Sequence, residues 1–447
     1  MPGAGPRPVI LGAGLAGLSA AYHMCEPYDI FEANASAGGV ARSLTCAGFT
    51  FDHAIHVLFS SDPYASRLIR ALLGDDFAEH ERSAWIYSND VYTRYPYQAN
   101  LHGLPSAIIR ENLLGLIMAR FGPKTGPIRN FEDWTRTMFG DGIAKNFMLP
   151  FNRKVWATEP REMGFDWIDG RVMLPDIDQI FVGAFRTSNF KHGPNAVFWY
   201  PRRGGTAALY RAFQARINHV SLLMRCVAID PNTRTVWFEN GKTCKYSSLI
   251  STMPLPTLIS RMDHVPARIH LLASQLRANR VITVNLGIDR ENISDKHWVY
   301  FPEAEFEFHR ISFPASFAKS LVPNGTSSIM IEFSESDTRP IERKRLIERT
   351  IRQLRRIRVI DKHDTILHRS ITEIDPAYII QGIDHGSIVG EIQEYLRSLG
   401  IISCGRFGEW AYLNMDQAIL SGKHAAEDAM GGCVTKPTFN IPEIARA

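Results

Sequence analysis

The chain's clearest chemical signal is a run of glycines near its start, Gly12-Ala13-Gly14-Leu15-Ala16-Gly17. The first glycine permits a tight turn, the second lets backbone approach a pyrophosphate, and the third lets a helix pack closely on a strand. The N–H groups at the start of that helix and its dipole favour the anion. Glu32 follows twenty positions after Gly12, where a carboxylate accepts from ribose hydroxyls. His53 and His56 form an H-x-x-H pair, but no third ligand has the spacing a metal site needs, so none is expected.

The elements around these residues support a dinucleotide site. Pro8 to Leu11 reads as a short apolar strand, Ala16 to Met24 as an amphipathic helix, and Tyr28 to Phe31 as a second strand ending on Glu32. Leu104 to about Ile180 turns helical and aromatic. A strand-rich stretch follows, with a hairpin turning at Asn240-Gly241 and then RVITVNLGI, HWVYFP, FHRISF and SSIMIEFS. The expected fold is α/β: a Rossmann-like dinucleotide-binding domain with an inserted helical domain and an antiparallel β-sheet domain. Its boundaries are placed at 1–103, 196–262 and 378–432 for the cofactor domain, 104–195 for the helical domain and 263–377 for the sheet, with a tail at 433–447.

Composition limits the partners. Of 447 residues, 45% are hydrophobic and 21% charged, the mix of a folded chain, and a net charge of +4 argues against nucleic acid. Six scattered cysteines lack C-x-x-C pairing and read as reduced thiols. Met1 to Arg7 is not a signal-peptide pattern, and the apolar stretch Leu113 to Phe121 is too short for a membrane span. A cytoplasmic enzyme is expected.

Gly38-Gly39-Val40-Ala41-Arg42 resembles the second glycine pair of glutathione-reductase and amine-oxidase flavoproteins. That likeness implies FAD rather than NAD, with Arg42 near phosphate. Further segments, in order, resemble the UDP-galactopyranose mutase family, especially its eukaryotic-type branch. They are HVLFS from His56, YPYQ from Tyr95, FMLPFNRKVWA, GPNAVFWYPRRGGT, LISTMP, HWVYFPE and GRFGEWAYLNMDQAI. The resemblance implies a pyranose–furanose isomerase for a nucleotide sugar, most simply UDP-galactopyranose, in which N5 of reduced flavin attacks the anomeric carbon and UDP leaves and returns.

By position in the matching motifs, Arg171 and Arg310 are implied to grip the diphosphate and His56 to face the flavin edge. Tyr300, Tyr378 and Tyr412 are implied as phosphate donors and Trp156 as a pocket wall. Tyr95, Tyr97 and Gln98 would hold uracil, and Asn195 belongs to a loop closing over substrate. Gly405, Arg406, Asp416 and Gln417 are implied to bind FAD, and Arg82 with Arg406 to serve NAD(P)H, the possible reductant. The resemblance leaves the oligomeric state open, a homodimer being one option.

One departure stands out. The family's histidine follows two glycines, whereas here Ala54 and Ile55 precede His56, so the flavin-facing loop is expected to differ in shape or mobility. The sequence leaves three alternatives open: a mutase for another UDP- or GDP-sugar, an FAD oxidoreductase of the amine-oxidase or protoporphyrinogen-oxidase type, and a non-catalytic flavin scaffold.

Overall fold

The structure is a computed structural model that describes residues 5–123, 126–168, 171–187, 193 and 195–432. Its cofactor domain is built on a parallel sheet. β1 (Arg7–Leu11) lies between β2 (Asp29–Phe31) and the strand Thr243–Ser251, with Val220–Ser221 and Ile401–Ser403 outside them. Alternation along β1 explains its burial. Ile10 packs with α1 (Leu15–His23) and the last helix, Met415–Ala429, whereas Val9 and Leu11 pack on the opposite face with Leu255, Ile259 and Ile392. The expected hairpin is present: Thr235–Phe238 pairs antiparallel with the first half of Thr243–Ser251, and Gly241 turns at φ +80°. Cys46, Cys226, Cys244 and Cys404 are free thiols, and Cys433 lies outside the described residues.

The helical insertion packs Ser106–Phe121 on Phe131–Ile143. A Cβ on Gly115 would come within 2.6 Å of the Gly142 nitrogen, so these backbones meet without side chains between them. Leu149–Trp156 continues the lobe toward the sheet domain.

The second sheet has seven strands in the order Ile366–Ile374, Arg280–Ile288, Ser327–Glu335, Arg310–Ser312, Trp298–Tyr300, Ala84–Ser88 and Val91–Arg94. The pairs are antiparallel except that Trp298–Tyr300 runs parallel to Ala84–Ser88. Its last two strands come from the stretch assigned by sequence to the cofactor domain, because a distant strand completes the hydrogen bonds of Trp298–Tyr300. Period-two alternation separates the faces. Val299, Ile311 and Ile331 join Leu346, Ile351 and Leu354 of the helix Leu346–Arg356 in one core. Tyr300, Arg310 and Glu332, cross-strand partners in register, therefore project together from the other face.

Candidate active site

The glycine turn has the geometry its spacing requires. Gly12 holds φ +99°, and a Cβ there would lie 2.2 Å from Thr252 Oγ1. A Cβ on Gly17 would strike the Gly12 carbonyl oxygen at 1.9 Å. Gly14 caps α1 without any side-chain bond to the helix's first N–H groups. The second glycine pair lies against this turn: Gly38 N donates to Ala13 O at 2.8 Å, and a Cβ on Gly39 would be 3.1 Å from Gly14 Cα. Glu32 is buried and accepts from Ala13 N at 2.9 Å and from Asn34 Nδ2 at 2.7 Å. Arg42 donates through Nε to Gly39 O at 2.9 Å, which holds it beside the turn.

Downstream residues meet this cradle. Gly405, at φ +77°, packs against α1, where a Cβ would lie 2.6 Å from the Ala16 Cβ. Arg406 is the sharper case: its Nε and Nη2 are buried with no hydrogen-bond partner, as is Asp416 Oδ1. Buried donors without partners are costly, so these atoms mark a place for a polar group. Gln417 is engaged otherwise, in a capping box, where its Oε1 accepts from Asn414 N at 3.0 Å. Glycines that leave room for backbone-to-phosphate approach, an acid at the ribose position and orphaned polar atoms together fit a flavin dinucleotide.

Beyond the cradle, partly exposed polar side chains gather around Tyr378 and Tyr412, and the space they border is the candidate substrate recess. Arg171 donates to the Tyr412 carbonyl and, at 3.3 Å, to Gln417 Oε1, with its guanidinium 4.3 Å from the Tyr412 ring centre. Arg406 lies 5.0 Å from that same ring and 5.4 Å from the ring of Tyr378. Arg310 is held by a fork of two bonds to Glu332, at 2.8 and 2.6 Å. Burial alone would lower the Arg310 pKa, but the Glu332 carboxylate carries it well above the usual value. Glu332 is fully buried, so the pair is charge-balanced inside the fold.

Burial pushes Tyr378 up to about 12 even though Arg310 beside it pulls the other way, and raises Tyr300 against the pull of Arg310 and Arg82. Both phenols therefore stay protonated and able to donate. His56 donates through Nδ1 to Ala54 O at 3.2 Å. Burial, with Arg406 and Arg310 nearby, lowers its pKa to about 4, so it is a neutral imidazole with Nε2 free to accept. Across the recess Arg82 donates to Asn195 and lies 4.9 Å from the ring of Tyr95, which contacts Tyr300 at 5.3 Å.

Two residues, Tyr97 and Gln98, differ from expectation. Tyr97 has no exposed surface. It stacks on Phe147 at 4.8 Å and its hydroxyl accepts from Asn112, so it is core of the helical lobe rather than a face for uracil. Gln98 is buried too and donates to Met173 O at 2.9 Å, which ties down the segment carrying Arg171. Trp156 is buried as a wall, edge-on to Tyr378 at 5.7 Å and Tyr412 at 5.6 Å. Ala54 adopts φ +54°, the region open to glycine, so the loop before His56 takes the alanine as backbone strain and keeps a left-handed bend. Neither His53 nor His56 joins a metal-ligand cluster among the described residues. Glu332 was missed by sequence reading, although a single acid inside the apolar strand SSIMIEFS was a usable signal.

Fold and site define a class. The model of the flavin-containing amine oxidoreductase family matches residues 15–430, and the chain belongs to that family. Within it, the resemblance to UDP-galactopyranose mutases holds. The structure of a reduced UDP-galactopyranose mutase is 29% identical, covers 98% of this chain and 96% of its own, and superposes with a TM-score of 0.92. A protein assigned as a protoporphyrinogen oxidase in Exiguobacterium sp. 255-15 is 15% identical over 95% of this chain and 98% of its own, with a TM-score of 0.72. Putrescine oxidase bound to putrescine is 16% identical over 95% of this chain and 99% of its own, with a TM-score of 0.63. These last two share the fold alone.

Proposed function

We propose that this protein is an FAD-dependent, non-redox mutase that interconverts the pyranose and furanose forms of a nucleotide sugar, with UDP-galactopyranose as substrate. The observation that carries this reading is the convergence of Arg171, Arg310 and Arg406 on the Tyr378–Tyr412 pair beside His56. An oxidase of hydrophobic amines has no use for several guanidinium groups in its pocket, whereas a departing and returning diphosphate needs them.

Reduced flavin, when bound, supplies a nucleophilic N5 for the anomeric carbon. The chain's own residues do the rest. Arg310, already paired through Nε and Nη2, retains Nη1 for phosphate oxygen, and Arg171 approaches from the Tyr412 side. Tyr300 and Tyr378 donate hydrogen bonds to the same diphosphate, which keeps it within the recess while the sugar ring opens and recloses. Neutral His56, with Nε2 available to accept, would face the flavin and take no proton from the sugar. Tyr95, with Arg82 and Asn195, flanks the entrance on the nucleoside side, and Arg82 and Arg406 suit NAD(P)H as the reductant.

The test is direct. Protein loaded with FAD and reduced by dithionite or NADPH is expected to interconvert UDP-galactopyranose and UDP-galactofuranose, resolved by chromatography. Equal turnover with the flavin kept oxidised would sink the mechanism, and substrate-dependent oxygen consumption would favour an oxidase. Because Ala54 and Ile55 replace the family's glycines, a panel of UDP- and GDP-sugars decides which sugar is preferred.

A further inference from the structure

We propose that Asn279 is a positioning residue that sets the spacing of Trp156 and Tyr378 and, through them, the width of the diphosphate recess; this rests on the mutase reading above. Asn279 is fully buried and lies just before the strand Arg280–Ile288, at the junction of three parts of the fold. Its side-chain Nδ2 donates to the carbonyl of Val155 in the helical lobe at 2.9 Å. Its Oδ1 accepts from the Tyr378 backbone N–H, also at 2.9 Å. Its own N–H donates to Tyr378 O at 2.8 Å, and its carbonyl accepts from Ala377 N at 2.9 Å.

This arrangement has a geometric consequence. Val155 is next to the last residue of the helix Leu149–Trp156, where carbonyls have no partner within the helix, so Asn279 completes that helix end from another domain. The neighbouring Trp156 is itself fixed by a bond from Nε1 to Asn152 Oδ1 at 3.1 Å. One carboxamide thus ties the helix bearing Trp156 to the backbone bearing Tyr378, and their rings meet edge-on at 5.7 Å. Arg406 lies over Tyr378, so a shift of this ring moves a cation of the recess with it.

The chemistry requires a group that donates on one side and accepts on the other. A carboxylate repels the Val155 carbonyl, and an apolar side chain leaves both backbone groups buried without partners. Asn279 does not reach the recess itself, so its effect is read through Trp156 and Tyr378.

The experiment compares wild type, Asn279→Ala, Asn279→Asp and Tyr378→Ala, all loaded with FAD. UDP binding to the reduced protein is followed by flavin fluorescence, and the aromatic pair by near-ultraviolet circular dichroism. Asn279→Ala is expected to weaken UDP binding about tenfold, the scale for losing one buried polar tie, with flavin content retained. In the Tyr378→Ala background the same change is expected to have less than about a twofold effect, because the ring it places is already gone. Asn279→Asp is expected to recover UDP affinity as pH falls, since a protonated carboxyl again donates to Val155 O. An additive double variant, or an Asn279→Ala protein with wild-type UDP affinity and an unchanged aromatic spectrum, overturns the proposal. Should Asn279→Ala not fold, an Asn279→Asp protein with no recovery at low pH does so. Wild-type protein that does not bind UDP refutes the mutase reading instead, and an unaltered aromatic spectrum in the Asn279 variants still refutes the positioning role.

Discussion

Arg171 and Arg310, proposed above to grip the diphosphate, are held in different ways. Arg171 is oriented by a backbone carbonyl and a ring, whereas Arg310 is oriented by a buried carboxylate that also balances its charge. Replacing Arg310 with lysine keeps a charge but loses the fork, so the KM for the nucleotide sugar should rise by about tenfold or more, measured in steady-state assays. Removing its partner has a different signature. Glu332→Ala leaves a buried guanidinium uncompensated and should destabilise the fold by about 3–5 kcal/mol, seen as a lower urea midpoint. At Ala54 the expected change has the opposite sign. Glycine relieves a left-handed φ that disfavours alanine by about 1 kcal/mol, so Ala54→Gly should be neutral or stabilising by thermal melting.

Two elements must touch backbone to backbone for the cradle to form. α1 carries Gly17 against the turn, and the last helix carries Gly422 against α1, where a Cβ would lie 2.0 Å from the Ala16 carbonyl oxygen. The two glycines nevertheless predict separable outcomes. Gly17→Ala pushes the helix off the pyrophosphate turn and should abolish flavin retention on purification. Gly422→Ala overpacks a helix contact away from the turn and should cost about 1–3 kcal/mol in melting experiments while flavin still binds at lower temperature. The sheet domain contributes through alternation: one face closes a core on Leu346–Arg356, and the other carries Tyr300, Arg310 and Glu332 in register.

At the scale of the whole molecule, stability should depend on acid in a defined window. His23, His53, His56 and His297 are each lowered to about 4, foremost by burial. Their folded forms bind fewer protons than the unfolded chain does between that value and the ordinary 6.5. The unfolded state therefore gains protons first, and stability present above pH 6.5 is lost as pH falls toward 4. Scanning calorimetry across that range should show the melting temperature falling steadily, and a flat profile would contradict the burial of these rings. Among the described residues no helix is long and apolar enough to cross a membrane.

Local features are legible in the residue types alone. The glycine spacing, the acid twenty positions on, the two flanking strands and the hairpin at Asn240-Gly241 all follow from short-range backbone requirements, and residue type alone reports those. The arginines and tyrosines could be named from ordered motifs, because a likeness of segments preserves position. Tertiary structure decided what each of them touches. Tyr97 turned inward, Gln417 became a capping partner, Glu332 paired with Arg310, and Asn279 joined three parts of the fold, all through contacts between residues far apart in the chain. Spacing along a sequence carries no record of such contacts. They exist only once the helical lobe, the sheet and the cofactor domain close on one recess, and burial then dictates which polar atom must find which partner.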